Sequence, residues 1–490
     1  ERMIKRANQL KEGVAKILTA SSTCSIFERL RLIDVLERVC LGHLFKEEIN
    51  DVLIKVSKVD VSDCDLQTLS LWFYLLRKHG FMASEDVFAK FLDDEGNLVS
   101  KNPRDLLSLY NAAHLRMRGE KILDEAIASA KESMVPYVKG SLAHEIRGAL
   151  EIPLPRRVTI YEAKHYISTF EKEREVHETV IELAKLNTDL LQLHHQQELK
   201  TITRWWKDLQ VQTRLPFARD RIVECYFWMV GVYYEPSYSR SRIISTMVLA
   251  IITILDDIYD VYGTSQDWDP NEVNALPDYL KQNFGDLSKH EDLLTPKVKY
   301  RIPYLRNSIV DLARAYNEEV KWRDEGYVPE TIVEHLRVSA ISGASHLMSC
   351  TWFAGLKAVA TKESFDWICS VPKILRPLCF VMRLSDDLKT YEREKMTRHV
   401  ASTIDSCMKE HKVPIEVARE MIQEMIEDSW KDFNREWLSP HNGQPRQLLE
   451  ILFNLARTVE FIYSQDDAYT NSLTIKDAIY SLFVKPISMI

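Results

Sequence analysis

An all-α fold with two helical domains is predicted by the spacing of apolar residues and by the scarcity of helix-breaking ones. The chain has only 14 glycines and 17 prolines in 490 residues, and apolar residues recur every three or four positions through most of it. In residues 26–38, for example, Ile26, Leu30, Ile33 and Leu36 share one face of a predicted helix. The length exceeds what one small core needs, so two large domains are expected.

Helix ends are predicted where Pro, Gly and Asn cluster, at residues 93–97, 101–103, 153–155 and 215–216. The double acid in the first of these clusters has the character of a solvated turn. Short, strongly charged amphipathic helices give way to longer apolar helices near residue 190. The predicted domains are therefore an N-terminal helical domain, 1–190, and a C-terminal helical bundle, 191–490, which contains every candidate functional residue.

Charge and composition exclude several classes of partner. The net charge is −8 and no basic stripe is present, so no nucleic acid is expected. No stretch reaches the roughly 20 apolar residues of a membrane span, and no targeting peptide is recognised. The eight cysteines are scattered without a Cys-x-x-Cys pair and are interpreted as buried thiols in a reducing compartment. The sequence thus predicts a cytoplasmic protein without stable membrane insertion, and we expect a monomer.

The first candidate site follows an apolar run, residues 243–255, that ends abruptly in Asp256, Asp257 and Asp260. In a helix Asp256 and Asp260 share one face, with Asp257 turned away from it. Neighbouring carboxylates at the edge of a core are costly unless a cation meets them. The pattern indicates a divalent metal site, and the alternative is a helix end in solvent.

A second apolar run, residues 374–382, leads into Asp386, Thr390 and Glu394 at i, i+4 and i+8. On a helix these three oxygen-bearing side chains lie on one face. Carboxylates and a hydroxyl suit magnesium, which keeps part of its octahedral shell for water and substrate phosphate. Two such helices facing each other would bind metal jointly with a diphosphate.

Cationic and aromatic side chains accompany both stretches. Arg219 and Arg221 precede the first, and Arg383, Lys395 and Arg398 flank the second. The guanidinium group is a good phosphate ligand, although a surface ion pair with Asp220 or Glu224 would also explain Arg219 and Arg221. The aromatic candidates are Trp228, Phe353, Tyr463 and Tyr469, whose rings could stabilise a cation or simply pack in the core.

Together these residues resemble a known family. The stretch 256–260, Asp-Asp-Ile-Tyr-Asp, resembles the DDxxD motif of class I terpene synthases, and 386–394 resembles their second metal motif, (N/D)Dxx(S/T)xxxE. The stretches 205–209, 219–228 and 234–239 are similar to plant sesquiterpene synthases. The resemblance covers essentially the whole chain and implies an N-terminal α-barrel-like domain and a C-terminal catalytic bundle.

The resemblance also implies roles for individual residues. Asp256, Asp260, Asp386, Thr390 and Glu394 would bind three Mg²⁺, or Mn²⁺ in their place, with Asp257 in support. The diphosphate would be held by Arg219, Arg221 and Arg383, with Lys395 beside them. Trp228, Tyr463 and Tyr469 would line the hydrocarbon pocket near Asp467, and residues 342–344 would break a helix beside it at Gly343.

Three departures from the family pattern stand out. The N-terminal segment that often carries paired arginines is absent from the sequence, and residues 265–270 are shorter than the family helix at that place. Ala468 stands where glycine is common, a change expected to matter little. The Asp-x-Asp-Asp motif of protonation-initiated cyclases is also absent, so chemistry is expected only at the C-terminal site.

The function implied is a sesquiterpene synthase that ionises farnesyl diphosphate and rearranges or cyclises the cation to a fifteen-carbon terpene. One alternative is a monoterpene synthase acting on geranyl diphosphate. Two further alternatives are a prenyl-chain-elongating transferase and a catalytically silent helical scaffold. The transferase would normally show two DDxxD clusters, whereas the second cluster here has the Thr and Glu pattern.

Overall fold

The predicted all-α class is confirmed in a computed structural model, which describes residues 2–19, 25–93, 95–139, 142–173, 176–261, 300–356, 358–396, 400–439 and 443–487. Over these residues the chain is helical and contains no β-strand beyond an isolated bridge between Leu92 and Leu98. Cys24, Asp94, Arg398 and the shortened stretch 265–270 lie outside the described residues.

The described α-helices are numbered in chain order. They are α1 Arg2–Thr19, α2 Ile26–Arg38, α3 Lys46–Val56, α4 Leu66–Lys78, α5 Pro103–Ala113, α6 Lys121–Met134, α7 Ala143–Glu151, α8 Thr159–Phe170, α9 Glu178–Asp208, α10 Val211–Arg214, α11 Ile222–Val232, α12 Ser239–Val261, α13 Arg301–Glu325, α14 Ile332–Ser342, α15 Ser345–Gly355, α16 Lys362–Cys369, α17 Leu375–Glu394, α18 Thr403–His411, α19 Ile415–Leu438, α20 Arg446–Ile462 and α21 Lys476–Phe483. Short 3₁₀ turns lie at Gly42–Leu44, Glu85–Phe91, Val135–Tyr137, Leu154–Arg156, Pro236–Tyr238 and Ser472–Ile475.

Local sequence explains many helix limits. Helix α2 starts with a reciprocal capping box between Ser25 and Glu28 and buries Leu30, Ile33 and Leu36, the face that the spacing predicted. Asn102 caps α5, whose first residue is Pro103. Gly96 has a φ of +80° within the predicted turn at 93–97, where Asp93 accepts backbone hydrogen bonds. Turn chemistry therefore fixes these boundaries.

The chain forms two compact units. Unit 1 comprises Glu1–His195, Lys431–Asn442 and Asp477–Ile490, and unit 2 comprises Gln196–Trp430 and Gly443–Lys476. Both are discontinuous: the chain passes from one unit to the other within α9, within α19, between residues 442 and 443, and after the first residue of α21. The single limit between 1–190 and 191–490 stays a prediction about folding domains.

Within unit 2, the start of α12 is anchored by a buried ion pair. Arg242 contacts both carboxylate oxygens of Glu198 at 2.6 and 2.9 Å and also donates to the carbonyls of Tyr233 and Glu235. Tyr226 donates to the same carboxylate. Because every charge in this network is paired, burial is tolerated, and the position of the helix that carries Asp256 is fixed at its far end.

Candidate active site

The first acidic stretch lies at the C-terminal end of α12, as predicted. Residues 244–255 of this helix are buried, whereas Asp256 is half-buried and Asp260 is exposed. Asp257 faces away from these two and is only 7% exposed. The apolar run thus places two carboxylates at the edge of the core and buries the third.

Arg219 lies against this helix end. Its backbone N–H and Nε donate to the two oxygens of Asp257 at 2.7 and 2.6 Å, and Nη2 donates to Asp256 Oδ2 at 2.7 Å. Nη1 also reaches Thr470 at 3.2 Å. Asp257 is therefore fully engaged in holding Arg219, whereas Asp256 contacts this arginine through one oxygen only.

The second acidic stretch lies on α17. Asp386 and Asp387 both contact Arg383, one turn earlier, and Asp387 also accepts from the backbone N–H of Thr403 at 2.7 Å. Thr390 is 1% exposed, and its Oγ1 makes no hydrogen bond within 3.5 Å among the described residues, although it lies near enough to Glu394 to lower the pKa of that carboxyl against the larger effect of burial. The Nε of Arg383 is likewise buried and without a described partner. These groups could therefore contact a bound ligand.

Both stretches reach one cavity of about 180 Å³ in unit 2. Asp256, Asp260, Asp386, Arg219 and Arg383 all line it. The negative charge of Glu394 contributes to the raised pKa of Asp260, although Thr390 and Glu394 do not themselves line the cavity. The structure therefore brings together the two motifs, which are more than a hundred residues apart in the sequence.

The arginines beside this cavity only partly offset the burial of its carboxylates. Burial raises the pKa of Asp386 to about 8, and the charge of Glu394 adds to the rise, against the opposing effect of Arg383. Burial also raises the pKa of Glu394 and of Asp256, and for Asp256 the charge of Asp257 adds to it. Carboxylates that resist ionisation, beside an unpartnered hydroxyl, fit a divalent cation, which would stabilise their charged forms.

Aromatic and apolar side chains form the rest of the cavity wall. Trp228 packs edge-on against Tyr469 with ring centroids 5.5 Å apart, and its Nε1 donates to Thr458 at 2.7 Å. Tyr463 and Asp467 also line the cavity. Phe353 does not; it packs against Phe365. The apolar lining includes Met229, Leu249, Ile252, Met348, Leu378, Met382, Leu455 and Val459.

A helix break beside the cavity separates α14 from α15 and exposes Ser342, Gly343 and Ala344 to it. The sequence pointed to Gly343 as the flexible residue, but Gly343 has a φ of −63°. Ala344 adopts the left-handed conformation instead, with a φ of 58°. The strained residue at the break is thus an alanine.

A loop after α20 closes one side of the site. Asp467 Oδ1 accepts from the backbone N–H groups of Tyr469 and Thr470, and Arg393 donates to its Oδ2 at 2.9 Å. Arg221 donates to the carbonyls of Tyr469 and Thr470 at 3.0 and 2.8 Å. Arg221 and Asp467 therefore hold the loop that presents Tyr469.

Two predicted phosphate ligands do not line the cavity. Lys395 is exposed and its Nζ lies 5.1 Å from the ring centre of Tyr391, because it follows the last helical residue of α17 and points along a different face. Arg221 is occupied with the loop carbonyls described above. Arg219 and Arg383 are the predicted arginines that the structure brings to the site.

Sequence reasoning missed several residues around the cavity. Tyr316 lines it, and Glu319 accepts a 2.6 Å hydrogen bond from Ser342 at the helix break. Burial raises the pKa of Glu319 to about 7, although Arg383 opposes this rise. Arg393 and Thr470 also line the cavity. Arg393 occupies a variable position of the second motif, and the other residues named here lie in no motif. The only sequence signal for Glu319 is its position one helical turn after Tyr316 on α13.

An all-α bundle with two opposed acidic helix ends, arginines and an apolar cavity defines a class of metal-dependent enzymes that act on an apolar diphosphate. Family models for "Terpene synthase, N-terminal domain" and "Terpene synthase family, metal binding domain" match residues 1–152 and 207–432. The chain belongs to the plant terpene synthases, which are lyases acting on prenyl diphosphates.

Individual relatives agree with this assignment. The chain is 58% identical to alpha-terpineol synthase, chloroplastic, of Zea mays, over 100% of this chain and 82% of the relative. It is 44% identical to beta-sesquiphellandrene synthase of Sorghum bicolor, over 99% and 91%. It superposes with a TM-score of 0.89 and 29% identity on grey poplar isoprene synthase in complex with three Mg²⁺ ions and dimethylallyl-S-thiolodiphosphate, over 100% of this chain and 98% of that one.

These findings confirm the predicted family, enzyme class and Mg²⁺ cofactor. They correct the predicted location: the 58% identical maize relative is named chloroplastic, so the cytoplasmic expectation is wrong. Among the described helices, none is both long and apolar enough to cross a membrane.

Proposed function

We propose that this enzyme ionises a prenyl diphosphate and guides the resulting allylic carbocation to a terpene. The observation that carries the proposal is the shared cavity, in which Asp256, Asp260 and Asp386 lie at one end and Trp228 and Tyr469 form part of the wall. A charged end and an apolar wall match the two halves of such a substrate. Releasing the diphosphate breaks the allylic carbon–oxygen bond, and the bonding electrons leave with the oxygen.

The metal ligands proposed are Asp256 and Asp260 on α12 and Asp386, Thr390 and Glu394 on α17, holding three Mg²⁺. When bound, Mg²⁺ supplies electrostatic stabilisation of the negative charge on the diphosphate. Asp257 has a supporting role, because Arg219 already occupies both of its oxygens. The raised pKa of Asp386 and the unpartnered Thr390 hydroxyl support this set.

Arg219 and Arg383 would bind the diphosphate. Each is oriented by carboxylates, Arg219 by Asp256 and Asp257 and Arg383 by Asp386 and Asp387. Guanidinium groups fixed in this way stabilise charge as it develops on the leaving group without reorganising. Arg221 would act indirectly, by positioning the loop that carries Tyr469.

The apolar wall would orient the hydrocarbon chain and protect the cation. Aromatic faces such as those of Trp228, Tyr463 and Tyr469 attract a carbocation by the same electrostatic effect that attracts other cations. The buried lining excludes water, so the cation reacts with the double bond held nearest to it. Product identity would then depend on the shape of this wall.

Geranyl diphosphate is the substrate we favour, because alpha-terpineol, the product in the name of the 58% identical relative, has ten carbons. Farnesyl diphosphate, which the sequence motifs indicated, is the second candidate. It is supported by the 44% identical relative, which is named for a fifteen-carbon product. Both substrates present the same diphosphate to the same acidic end of the cavity.

The test is gas chromatography with mass spectrometry after incubating the purified protein with geranyl and farnesyl diphosphate separately, with and without Mg²⁺. We expect a metal-dependent ten-carbon product with the higher kcat/KM on geranyl diphosphate. A higher kcat/KM on farnesyl diphosphate would reverse the substrate preference. A parallel incubation also contains isopentenyl diphosphate, the five-carbon unit that chain elongation consumes. Longer prenyl diphosphates formed there would indicate an elongating transferase, and no product under any of these conditions would indicate a silent scaffold.

A further inference from the structure

A second group of metal-ligating side chains lies in unit 2, outside the cavity. One ligand atom each from His346, Cys350 and Cys369 lies within 4.8 Å of the others. His346 and Cys350 are four residues apart on α15 and share one face of it, and Cys369 is the last residue of α16. The mechanism above uses none of these residues, and the sequence pattern did not connect them.

The sulfur separation distinguishes between two kinds of thiol chemistry. The Sγ atoms of Cys350 and Cys369 are 3.8 Å apart. A disulfide needs about 2.05 Å, whereas two thiolates on a tetrahedral zinc ion, at about 2.3 Å each, are about 3.8 Å apart. We propose that His346, Cys350 and Cys369 bind one zinc ion, a site separate from the acidic magnesium site.

The surroundings of the three side chains suit this ion. The Nε2 of His346 is buried and has no hydrogen-bond partner among the described residues. Ser308 on α13 donates to Cys350 Sγ at 3.6 Å. The hydrogen bond with Cys369 and burial nevertheless raise the pKa of Cys350 well above its usual value, so this thiol would ionise only with the cation bound. The hydrogen bond with Cys350 lowers the pKa of Cys369 to about 5, and His346 contributes to this shift. Two sulfurs and an imidazole are a ligand set that zinc prefers.

Access is open on one side. Cys350 is fully buried, but His346 and Cys369 are each only partly buried. An ion could therefore enter from solvent and keep water as its fourth ligand, the arrangement of an open zinc site. Asp366, on the same helix as Cys369, adds negative charge near it.

The ion would link α16 to α15, a helix that lines the active-site cavity. Ser345 and Met348 line the active-site cavity from α15, whereas His346 and Cys350 on the same helix contribute to the zinc group. Helix α15 also begins directly after the strained residue Ala344. Zinc would thus fix the helix that forms one wall of the hydrocarbon pocket, a structural role without participation in the reaction.

The test is Co²⁺ and zinc binding by the full chain, purified under reducing conditions without a metal-binding tag and kept in saturating Mg²⁺ so that the acidic site is filled. We expect one equivalent of tightly held zinc. We also expect Co²⁺ to give sulfur-to-metal charge-transfer absorption. Cys350→Ser and Cys369→Ser should each lower the intensity of this absorption and weaken zinc binding at least tenfold, because one of two thiolate ligands is removed.

Cys64→Ser is the matched control, since Cys64 is a half-buried thiol in unit 1 and should leave binding unchanged. Co²⁺ absorption that is absent from the parent protein, or undiminished in both Cys350→Ser and Cys369→Ser, would overturn the proposal. Circular dichroism shows whether each variant folds. If a cysteine variant does not fold, His346→Gln is measured in its place. Because metal binding is measured directly, this result is independent of terpene formation.

Discussion

Asp256 and Asp257 are adjacent in the sequence but contact Arg219 differently. Both oxygens of Asp257 accept from Arg219, whereas Asp256 gives it one oxygen and lines the cavity. A substitution at Asp256 should therefore affect metal-dependent turnover directly. A substitution at Asp257 should instead affect turnover indirectly, by displacing Arg219.

We predict that Asp256→Asn lowers kcat/KM by a factor of about 100 or more, equivalent to about 2.7 kcal/mol of lost transition-state stabilisation. The amide keeps the shape but removes the charge that a metal needs. The measurement is turnover against Mg²⁺ concentration. Asp311→Asn, at an exposed position on α13, serves as the control. Near-parental turnover of Asp256→Asn at ordinary Mg²⁺ would rule out its role as a ligand.

Ala344 carries the backbone strain at the helix break, with a φ of 58°. The left-handed conformation costs a residue with a Cβ about 1–2 kcal/mol. Glycine avoids this cost, but it loses more conformational entropy on folding, so the net gain in stability is smaller. We predict that Ala344→Gly raises the free energy of unfolding by up to about 1 kcal/mol. The free energy of unfolding is measured by urea denaturation. Gly343→Ala, where φ is −63°, should bring no such gain, and a lower midpoint for Ala344→Gly would contradict the strain.

At the scale of elements, α12 and α15 pack so closely that only glycine fits between them. A Cβ on Gly355 would lie 2.3 Å from the Cα of Ser241, so α12, which carries Asp256, would have to move. We predict that Gly355→Ala destabilises the protein by about 1–3 kcal/mol and lowers kcat. The same substitution at Gly13, whose Cβ would meet only ordinary contact, is the control. Equal unfolding midpoints for the two variants would refute this account.

Helices were predictable where local chemistry determines them. The limits of α2 and the turn at 93–97 follow from caps, periodicity and a glycine with positive φ. The break between α14 and α15 was predicted only in position, since the left-handed residue is Ala344 rather than Gly343. An alanine is held in that conformation by tertiary packing, which a local pattern does not encode.

At the scale of the whole molecule, the two acidic motifs could be predicted from sequence because each lies on a single helix. The sequence could not show which other side chains reach the cavity. Lys395 follows the second motif directly but lies over Tyr391, whereas Glu319, in no motif, reaches Ser342 beside it. Which side chains line a site formed by several helices depends on how those helices pack. The spacing of residues along one helix does not specify this packing.

The stability of the whole protein should therefore respond to pH through such buried acids. Burial raises the pKa of Glu319 from its ordinary value of 4.5 to about 7. The folded state consequently binds this proton more tightly than the unfolded state does. Its ionisation destabilises the fold progressively as pH rises above the unfolded pKa, until the folded pKa has been passed. For Asp386, raised to about 8, the sign is the same.

We predict that the metal-free protein has a lower urea unfolding midpoint at about pH 8 than at about pH 5, because folding raises the pKa of Glu319 to about 7. Glu319→Gln should reduce this difference, because a neutral amide can still accept the hydrogen bond from Ser342 but cannot ionise. Glu318→Gln, at the half-exposed neighbouring position, should leave the difference unchanged. Mg²⁺ should also reduce it, since a bound cation favours the charged form of Asp386. An unchanged difference in Glu319→Gln would show that the Glu319 carboxyl does not contribute to this pH dependence.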